Sequence, residues 1–467
     1  MRRVDIHNLS LRDSISSLRD VLGGQAQDRR FRFIMVGLSY LKGDGLTRSS
    51  LMIALILTLF SGAVIALDSS SGTDLTPSYI GCRLVQSGQE SHLYAHDSSS
   101  FNTLSDPVWL AIAQSSGVPQ STIVVPFVQT PLWPYILQPL CGITNFPNFN
   151  LIFRLVFCFC LAALIWITGR CWAPRFFKPL WVLIFVAAWL RAEPLREAVE
   201  LTQTHIIFLL LAFLAVLWAR SGQSVMAGIS LALAAAVKIT PGAIVIYWLM
   251  TKKRKAAQSF VFVSMAIFGV TLLALGRAIT TDYMHSMSRV SNILLLAAGN
   301  QSFAAWLMGN FFYKKQAFGF HIYPLPLALK VVCYALVVAS TIVGGLCDRR
   351  LAQLKTGLAP FGAVFALLGA TVFTPIAWAH YYVILVVPMI LLLDEFLFRR
   401  SYVVLSLVGA IFFLSNARLF LRHLGSVHLP MPEIVRGQFY AGMIAMAGMM
   451  LLYRRSMAEL APQSEKA

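Results

Sequence analysis

The chain has 467 residues, of which 57% are hydrophobic and only 12% are charged. A soluble globular domain carries about twice that charged fraction. The apolar residues fall in runs of about 17 to 22, the length that crosses a hydrocarbon core of about 30 Å. A transmembrane β-barrel would instead show short alternating segments. The sequence therefore predicts an all-α polytopic membrane protein.

The formal net charge of +18 does not indicate nucleic-acid binding, because the cations lie in short loops between apolar runs. Basic clusters beside membrane spans mark the cytoplasmic face, so they predict orientation and no nucleic-acid partner. The clusters are Arg170, Arg175 and Lys178; Lys252, Lys253, Arg254 and Lys255; Arg349 and Arg350; Arg399 and Arg400; and Arg454 and Arg455.

The chain begins with a polar, basic segment, 1–48, which we expect to be a cytoplasmic arm. The stretch "LSLRDSISSLRDVL" (9–22) has apolar residues near helical spacing. It is either an amphipathic helix on the inner leaflet or a partly disordered tail. No cleavable signal peptide is expected, since the first apolar run is long enough to remain as a span.

The first span is predicted at 49–67 and is followed by a long loop, 68–148, without a membrane-length apolar run. Cys82 and Cys141 fall in this loop, where an outer face would permit a disulfide. The further predicted spans are 150–168, 178–192, 204–220, 257–276, 326–346, 358–376, 380–397, 402–417 and 436–453.

The apolar stretch between Gly222 and Lys252 is too long for one crossing and is interrupted by "VKITPG". Both of its ends face the cytoplasm if the basic clusters mark that side. We therefore expect two short helices that enter the bilayer and turn at 238–242. Broken backbone at membrane depth is tolerated where it is buried or lines a cavity, and a lysine there favours a cavity.

These elements, with the two short re-entrant helices included, predict about twelve membrane segments in the cytoplasmic (inner) membrane with both termini inside. Every basic cluster then lies inside and the long loops lie outside. We expect a membrane domain at 49–453, which includes the first extracytoplasmic loop 68–148, and a cytoplasmic tail at 454–467.

Four outer segments carry polar residues at span ends, and with Lys238 they are predicted to line one cavity that opens outward. A carboxylate, a histidine, cations and amides suit an enzyme that deprotonates a hydroxyl and stabilises a phosphate leaving group. The segments are "GTDLTPSY" with Asp74; "EPLREAVELTQTH" with Glu193, Arg196, Gln203 and His205; "GNQSFAAWL" with Asn300, Gln301 and Ser302; and "TPIAWAHYY" with His380.

Each residue also has a plain structural interpretation. An aspartate just past a span is commonly a loop or cap residue, and a histidine near an interface is commonly a structural hydrogen-bonding group. Arg196 and Arg277 can extend to lipid headgroups. Lys238 is the reverse case, because charges within a membrane are rare and usually functional. The convergence of these residues on one face favours a functional site.

Five segments, in order, resemble glycosyltransferase family 87, a family of membrane enzymes with the GT-C architecture. The family includes polyprenol-phosphate-mannose-dependent α-mannosyltransferases. The resemblance covers residues 55–400 and rests on "DLTPSYIGCRLVQSGQESHLY", "EPLREAVELTQTHIIFLLL", "AAAVKITPG", "NQSF" and "TPIAWAH".

The resemblance implies a GT-C-like bundle that transfers a sugar, mannose above all, from a polyprenyl-phosphate donor to a hydroxyl of a lipid or glycan acceptor by inverting displacement. It implies that Asp74 is the general base and that His380 places the donor phosphate or orients the acceptor. The residues predicted to bind donor or acceptor are Arg196, Gln203, Lys238, Asn300, Ser302 and Trp378. A phosphate contact for Lys238 is inferred from its charge and depth.

No cofactor is expected beyond the lipid-linked donor, which is a co-substrate, and no metal is expected because the first loop lacks a DxD-like carboxylate pair. The sequence departs from the family pattern at positions that concern sugar and acceptor recognition: Gln129 and Thr130, Thr202 to His205, Ala379 and Tyr381, and the region after Ser302. Two other functions stay open. One is transport or flipping of a lipid-linked sugar, and the other is glycolipid binding without catalysis.

Overall fold

A computed structural model gives the fold and describes residues 48–67, 71–94, 106–120, 122, 124–313, 320–354, 358–418 and 436–460. The chain divides into two compact units, Met1–Ala54 and Leu55–Ala467, and the first is described only from Arg48 onward. The predicted arm before Arg48 and the predicted tail beyond Leu460 lie outside the described residues, so both stay predictions.

The described residues are almost entirely helical. The helices are α1 Arg48–Leu67, α2 Thr76–Gln86, α3 Pro107–Ser115, α4 Leu132–Ile143, α5 Phe146–Trp172, α6 Pro179–Trp189, α7 Glu193–Glu200, α8 His205–Arg220, α9 Ser224–Val237, α10 Ile244–Met250, α11 Arg254–Val290, α12 Phe303–Phe311, α13 Leu327–Leu354, α14 Phe361–Val372, α15 Val386–Arg399, α16 Tyr402–Ser415 and α17 Gly437–Leu460. This confirms the all-α prediction.

Within the described residues, five helical segments are long and apolar enough to cross a membrane: α1, α5, α11, α13 and Ala379–Arg399. The pair α7 and α8 passes the same test but is bent by 116° at its break. Shorter apolar helices, such as α6, α14 and α16, occupy places where further spans were predicted. The protein is thus an all-α membrane protein, and the count of about twelve membrane segments stays a prediction.

Large apolar side chains face outward along the long helices. Phe159 on α5 and Phe262 and Leu273 on α11 are among them, and Leu273 is 88% exposed. Water would oppose so much exposed apolar surface, whereas lipid tails would cover it without cost. The outward face of these helices therefore fits a hydrocarbon environment.

The helix breaks at the place that the sequence predicted. Helix α9 ends at Val237, Lys238 is extended (φ −152°, ψ 128°), and a 3-10 turn, Thr240–Ala243, leads into α10. Pro241 has no N–H to continue a helix and restricts the residue before it, which explains the break. The return of the chain to the same side of the membrane stays a prediction.

A second break lies inside α11, at Gly276, where φ is 81° and ψ is 169°. A side chain is strongly disfavoured in this backbone region, so glycine is the residue that permits the kink. The break coincides with the predicted end of the span 257–276.

The first loop has its own packed core. Helix α2 packs on α4, and a disulfide joins Cys82 to Cys141, which the sequence only allowed. Tyr79, Trp109 and Phe127 are fully buried in this cluster. The loop that follows α11 contains structure that the sequence did not predict: strands β1 Ile293–Leu296 and β2 His321–Pro324 pair antiparallel.

Candidate active site

The Asp74 turn is anchored to the end of α7 by main-chain hydrogen bonds. Ser71 N and Gly72 N donate to Glu200 O at 3.0 and 3.2 Å, and Asp74 N donates to Leu201 O at 3.2 Å. Gly72 has φ +62°, and a Cβ there would lie 2.8 Å from the Phe146 ring. The turn can therefore approach α5 and α7 only with glycine at this position.

The Asp74 side chain is half-buried, and no described residue donates a hydrogen bond to its carboxylate. The pKa of Asp74 is raised to about 7: burial raises it most, the nearby charge of Glu197 also raises it, and the charge of Lys238 acts in the opposite direction. Near neutral pH this carboxyl group is therefore able to release and accept a proton, which a general base requires.

The Lys238 ammonium lies over the ring of Tyr381, with Nζ 2.8 Å from the ring centroid. The face of an aromatic ring attracts a cation but leaves its N–H donors largely unused. Lys238 and Tyr381 line a pocket with His205, Phe208, Thr371 and Thr374. The charge of Lys238 also acts on the Asp74 carboxyl group, so the two side chains lie near each other.

Two histidines contact Tyr381 as well. The ring of His205 stacks on Tyr381 at 4.7 Å, and the ring of His380 meets its edge at 4.7 Å. His380 is 2% exposed, and neither of its ring nitrogens has a hydrogen-bond partner among the described residues. His205 Nδ1 is likewise without one. Buried polar atoms are nearly always satisfied, so these nitrogens indicate a place for a ligand or water.

The "NQSF" segment holds the backbone that leads to His380. Asn300 Oδ1 accepts hydrogen bonds from Ala377 N at 2.9 Å and Ser302 N at 3.2 Å, and Ser302 Oγ donates to Pro375 O at 2.8 Å. Asn300 also pairs with Trp378 through its backbone. Both side chains therefore position the segment 375–380 within the fold. The donor or acceptor contacts predicted for Asn300, Ser302 and Trp378 stay predictions.

Arg196 and Gln203 lie close to the anchoring point of Asp74 along the chain. Arg196 is on α7, Gln203 is in the break between α7 and α8, and both are half-buried. Gln203 N donates to Ala198 O at 2.9 Å, and Thr202 adopts φ +51°, so the helix ends in a tight left-handed turn. The break places Gln203 two residues beyond the carbonyl that binds Asp74. Its contact with a substrate stays a prediction.

Sequence reasoning missed three charged residues near the site, which are Glu197, Arg418 and Arg436. Arg418 Nε lies 2.6 Å from Glu193 Oε1, its Nη2 lies 3.4 Å from Glu197 Oε2, and its Nη1 donates to Ala298 O at 2.9 Å. Arg436 is fully buried and donates to the carbonyls of Ala297 and Asn300. The signal was present, because a lone charge near apolar helices in a membrane protein needs a partner or a function.

Among the residues that the structure describes, no group of three or more His, Cys, Asp or Glu side chains could hold a metal ion. The expected independence from metal ions stays a prediction.

The family model for glycosyltransferase family 87 matches residues 131–375. A protein of Mycobacterium tuberculosis (strain CDC 1551 / Oshkosh), named polyprenol-phosphate-mannose-dependent alpha-(1-2)-phosphatidylinositol pentamannoside mannosyltransferase, is 30% identical over 255 residues. These residues are 52% of this chain and 54% of that protein, so the chain spans about half the length of this relative. The family match includes Glu197 and Lys238, whereas Asp74, His380 and Arg418 lie outside it.

Proposed function

The chain belongs to glycosyltransferase family 87, and on that premise we propose that it is a membrane glycosyltransferase. It moves a sugar, mannose above all, from a polyprenyl-phosphate donor to a hydroxyl of a lipid or glycan acceptor. The printed activity of the mycobacterial relative supports this donor class. The observation that carries the proposal is the half-buried carboxyl group of Asp74, with a pKa of about 7, near the ammonium of Lys238.

The proposed reaction is a single inverting displacement. The acceptor hydroxyl oxygen attacks the anomeric carbon, the bond from that carbon to the phosphate oxygen breaks, and polyprenyl phosphate leaves with the electron pair. The hydroxyl proton passes to Asp74 as the new bond forms. A polyprenyl phosphate is already a workable leaving group, so one base and positive stabilisation of the phosphate suffice.

We assign the phosphate to the space around Tyr381. Lys238 is the cation there, and it contacts the ring face and not an anion. The rings of His205 and His380 contact the same Tyr381 ring, and His205 Nδ1 and both nitrogens of His380 have no hydrogen-bond partner among the described residues. A phosphate offers strong acceptor oxygens to such donors. Lys238 would bind the departing charge, and His380 would orient the phosphate or the acceptor. Arg196 and Gln203, beside the Asp74 anchor, are assigned to the sugar or the phosphate.

We further propose that the site faces the extracytoplasmic side of the cytoplasmic (inner) membrane, with both termini in the cytoplasm. The Cys82–Cys141 disulfide supports this, because disulfides persist in oxidising compartments. The basic clusters support it independently. Cys171 is an exposed free cysteine at the predicted inner face. A membrane-impermeant thiol reagent should label it in opened vesicles and not in intact cells.

Transport of a lipid-linked sugar is the second candidate. Transporters also build their sites from broken helices, and the breaks at Lys238 and between α7 and α8 fit that pattern. Transport moves a substrate without making or breaking a glycosidic bond, so it does not need Asp74 to take a proton from an acceptor hydroxyl.

The test is sugar transfer by the purified full-length protein in lipid nanodiscs. Radiolabelled polyprenyl-phosphate-mannose and polyprenyl-phosphate-glucose serve as donors, and lipids extracted from the producing cells serve as acceptors. We expect a labelled glycolipid whose new linkage has the opposite anomeric configuration to the donor. A folded protein that makes no product from any donor, but moves labelled donor across a vesicle membrane, would contradict transfer and support transport.

A further inference from the structure

A second carboxylate, that of Glu197, lies beside Asp74. Glu197 O accepts a hydrogen bond from Leu201 N at 3.0 Å, and Leu201 O accepts one from Asp74 N at 3.2 Å. Asp74 is therefore attached one helical turn beyond Glu197, and residues four apart share a helix face. The negative charge of Glu197 is close enough to act on the Asp74 carboxyl group.

The position of Glu197 is fixed by an arginine. Arg418 Nη2 lies 3.4 Å from Glu197 Oε2, and the Arg418 side chain is 13% exposed. The same guanidinium contacts Glu193 at 2.6 Å and the carbonyl of Ala298 at 2.9 Å. An arginine partner favours the ionised form of a carboxylate and holds its direction. The ionised Glu197 carboxylate is therefore fixed in position by Arg418 and is not a mobile surface group.

Glu197 also borders the wall of the site that carries Trp378. A Cβ placed on Gly299 would lie 3.8 Å from Glu197 Oε1 and 3.0 Å from the Trp378 ring. Gly299 thus lets Trp378 and Glu197 approach the same stretch of backbone. One oxygen of the Glu197 carboxylate thus lies close to the Gly299 backbone.

The charges around Asp74 oppose one another. Lys238, from the break after α9, favours the ionised form of Asp74, whereas Glu197, from α7, favours the protonated form. Tyr381 lies under the Lys238 ammonium, against the rings of His205 and His380. A cation beside a carboxylate makes it a weaker base. A phosphate-binding lysine next to a general base therefore needs a compensating negative charge.

We propose that Glu197, anchored by Arg418, is a positioning residue that keeps Asp74 basic beside Lys238. The inference rests on the proposed function, since it assigns Glu197 to the proton transfer of that reaction. It predicts that removing the Glu197 charge leaves the site assembled and makes Asp74 a poorer acceptor for the proton.

The experiment titrates Asp74 directly, without substrate, in the full-length protein in nanodiscs. Infrared difference spectroscopy follows the protonated carboxyl band that the Asp74→Asn variant lacks. In Glu197→Gln the midpoint should fall by roughly one pH unit from the wild-type value, because a like charge has been removed. Arg418→Gln should raise the midpoint of the Asp74 titration, because the negative charges of Glu193 and Glu197 then lose their arginine partner. Glu200→Gln, the same change at an exposed position of α7, should leave it unchanged.

An unchanged midpoint in Glu197→Gln overturns the inference. If that variant does not fold, the Arg418→Gln midpoint decides, since a downward or absent shift there contradicts the proposal equally. The acid limb of the transfer rate against pH should move with the midpoint, which a purely structural role would not cause. If the midpoint shifts in Glu197→Gln but the wild type transfers no sugar, the electrostatic coupling of Glu197 to Asp74 is supported and the glycosyltransferase proposal is rejected. Transfer without a shift rejects only the pairing.

Discussion

Asp74 and Asp348 are both aspartates of a membrane protein, but their carboxylates differ in the hydrogen bonds that they accept. Asp348 on α13 accepts hydrogen bonds from Gly362 N at 2.9 Å, Ala363 N at 3.2 Å and Tyr247 Oη at 2.8 Å. It thereby closes the N-terminal end of α14. No described residue donates to the carboxylate of Asp74. A carboxylate whose lone pairs are filled by the protein stabilises the fold, whereas an unfilled one beside a cation is available for chemistry.

Asp394 belongs with Asp348. Its Oδ1 accepts from Arg175 N at 2.6 Å and Phe176 N at 2.9 Å, and its Oδ2 lies 3.4 Å from Arg175 Nη1. Asp394 is buried, and the short turn between α5 and α6 depends on it. Burial alone therefore does not distinguish a structural acid from a reactive one in this molecule. The supply of donors does.

The largest expected effect tests this distinction at Asp74. Asp74→Asn removes the base and keeps the shape, so transfer should fall by about a thousandfold, within the usual range for general-base removal. Thermal unfolding should not become easier, and at neutral pH the variant should be somewhat more stable, because a carboxyl group with a raised pKa destabilises the fold when it ionises. The matched control is Asp106→Asn, because Asp106 caps α3 through Val108 N and Trp109 N, and asparagine caps equally well. Transfer by Asp74→Asn within tenfold of wild type would contradict the account.

The next effect is expected at Lys238. Lys238→Met keeps the length of the side chain and removes the charge, so transfer should fall by about a hundredfold through lost stabilisation of the leaving phosphate. Steady-state kinetics with varied donor would show the loss in kcat and not only in KM. Lys330→Met is the control, since Lys330 binds Asn292 and Ser291 away from the site. A change confined to vesicle flux would favour transport instead.

The effect at Asp348 should fall on stability. Asp348→Ala leaves two buried N–H groups and the Tyr247 hydroxyl without their acceptor, so the free energy of unfolding should drop by about 3 to 5 kcal/mol. Denaturant unfolding of the reconstituted protein, followed by tryptophan fluorescence, measures it. The specific activity of the folded fraction should stay within about twofold, since the site is elsewhere. An Asp348→Ala variant that is as stable as the wild type but inactive would contradict the structural role assigned to Asp348.

A smaller stability effect is expected from the disulfide. Cys82→Ser with Cys141→Ser should lower the free energy of unfolding by about 2 to 4 kcal/mol, because the unfolded chain is no longer cross-linked. The Asp74 turn is held on α7 by main-chain hydrogen bonds, so transfer at low temperature should persist. Cys333→Ser, at a buried free cysteine, is the control for loss of a sulfur atom. Loss of transfer without loss of stability would show that the disulfide itself shapes the site.

Local signals in the sequence predicted much of the fold. Apolar runs predicted the places of the long helices, and "VKITPG" predicted the break at Lys238, whereas the break at Gly276 was not predicted and only coincides with the predicted end of a span. The bend between α7 and α8 was not predicted, because the charged "EPLREAVE" is short and the left-handed Thr202 carries no local signature. The β1–β2 pair was missed for a different reason, since its strands lie on either side of α12.

The site was predicted in part. Asp74, Lys238 and His380 were identified from charge, depth and motif, and the structure brings Lys238 and His380 together on Tyr381. Glu197 and Arg418 were missed because their pairing spans 221 residues of sequence, and no local pattern reveals such a contact. The side chains of Asn300 and Ser302 hold the backbone of 375–377, a role that their motif did not predict, and their predicted contact with donor or acceptor stays a prediction.

The central claim is that Asp74 accepts the acceptor's proton, and the pH dependence of transfer tests it most directly. With a pKa of about 7, Asp74 is mostly protonated below neutral pH and cannot accept a proton there. The value of kcat/KM, which reports the free enzyme, should therefore fall about tenfold per pH unit below that midpoint and level off above it. A rate that is flat between about pH 5.5 and 8.5, in a protein that stays folded throughout, would contradict the assignment of Asp74 as the base.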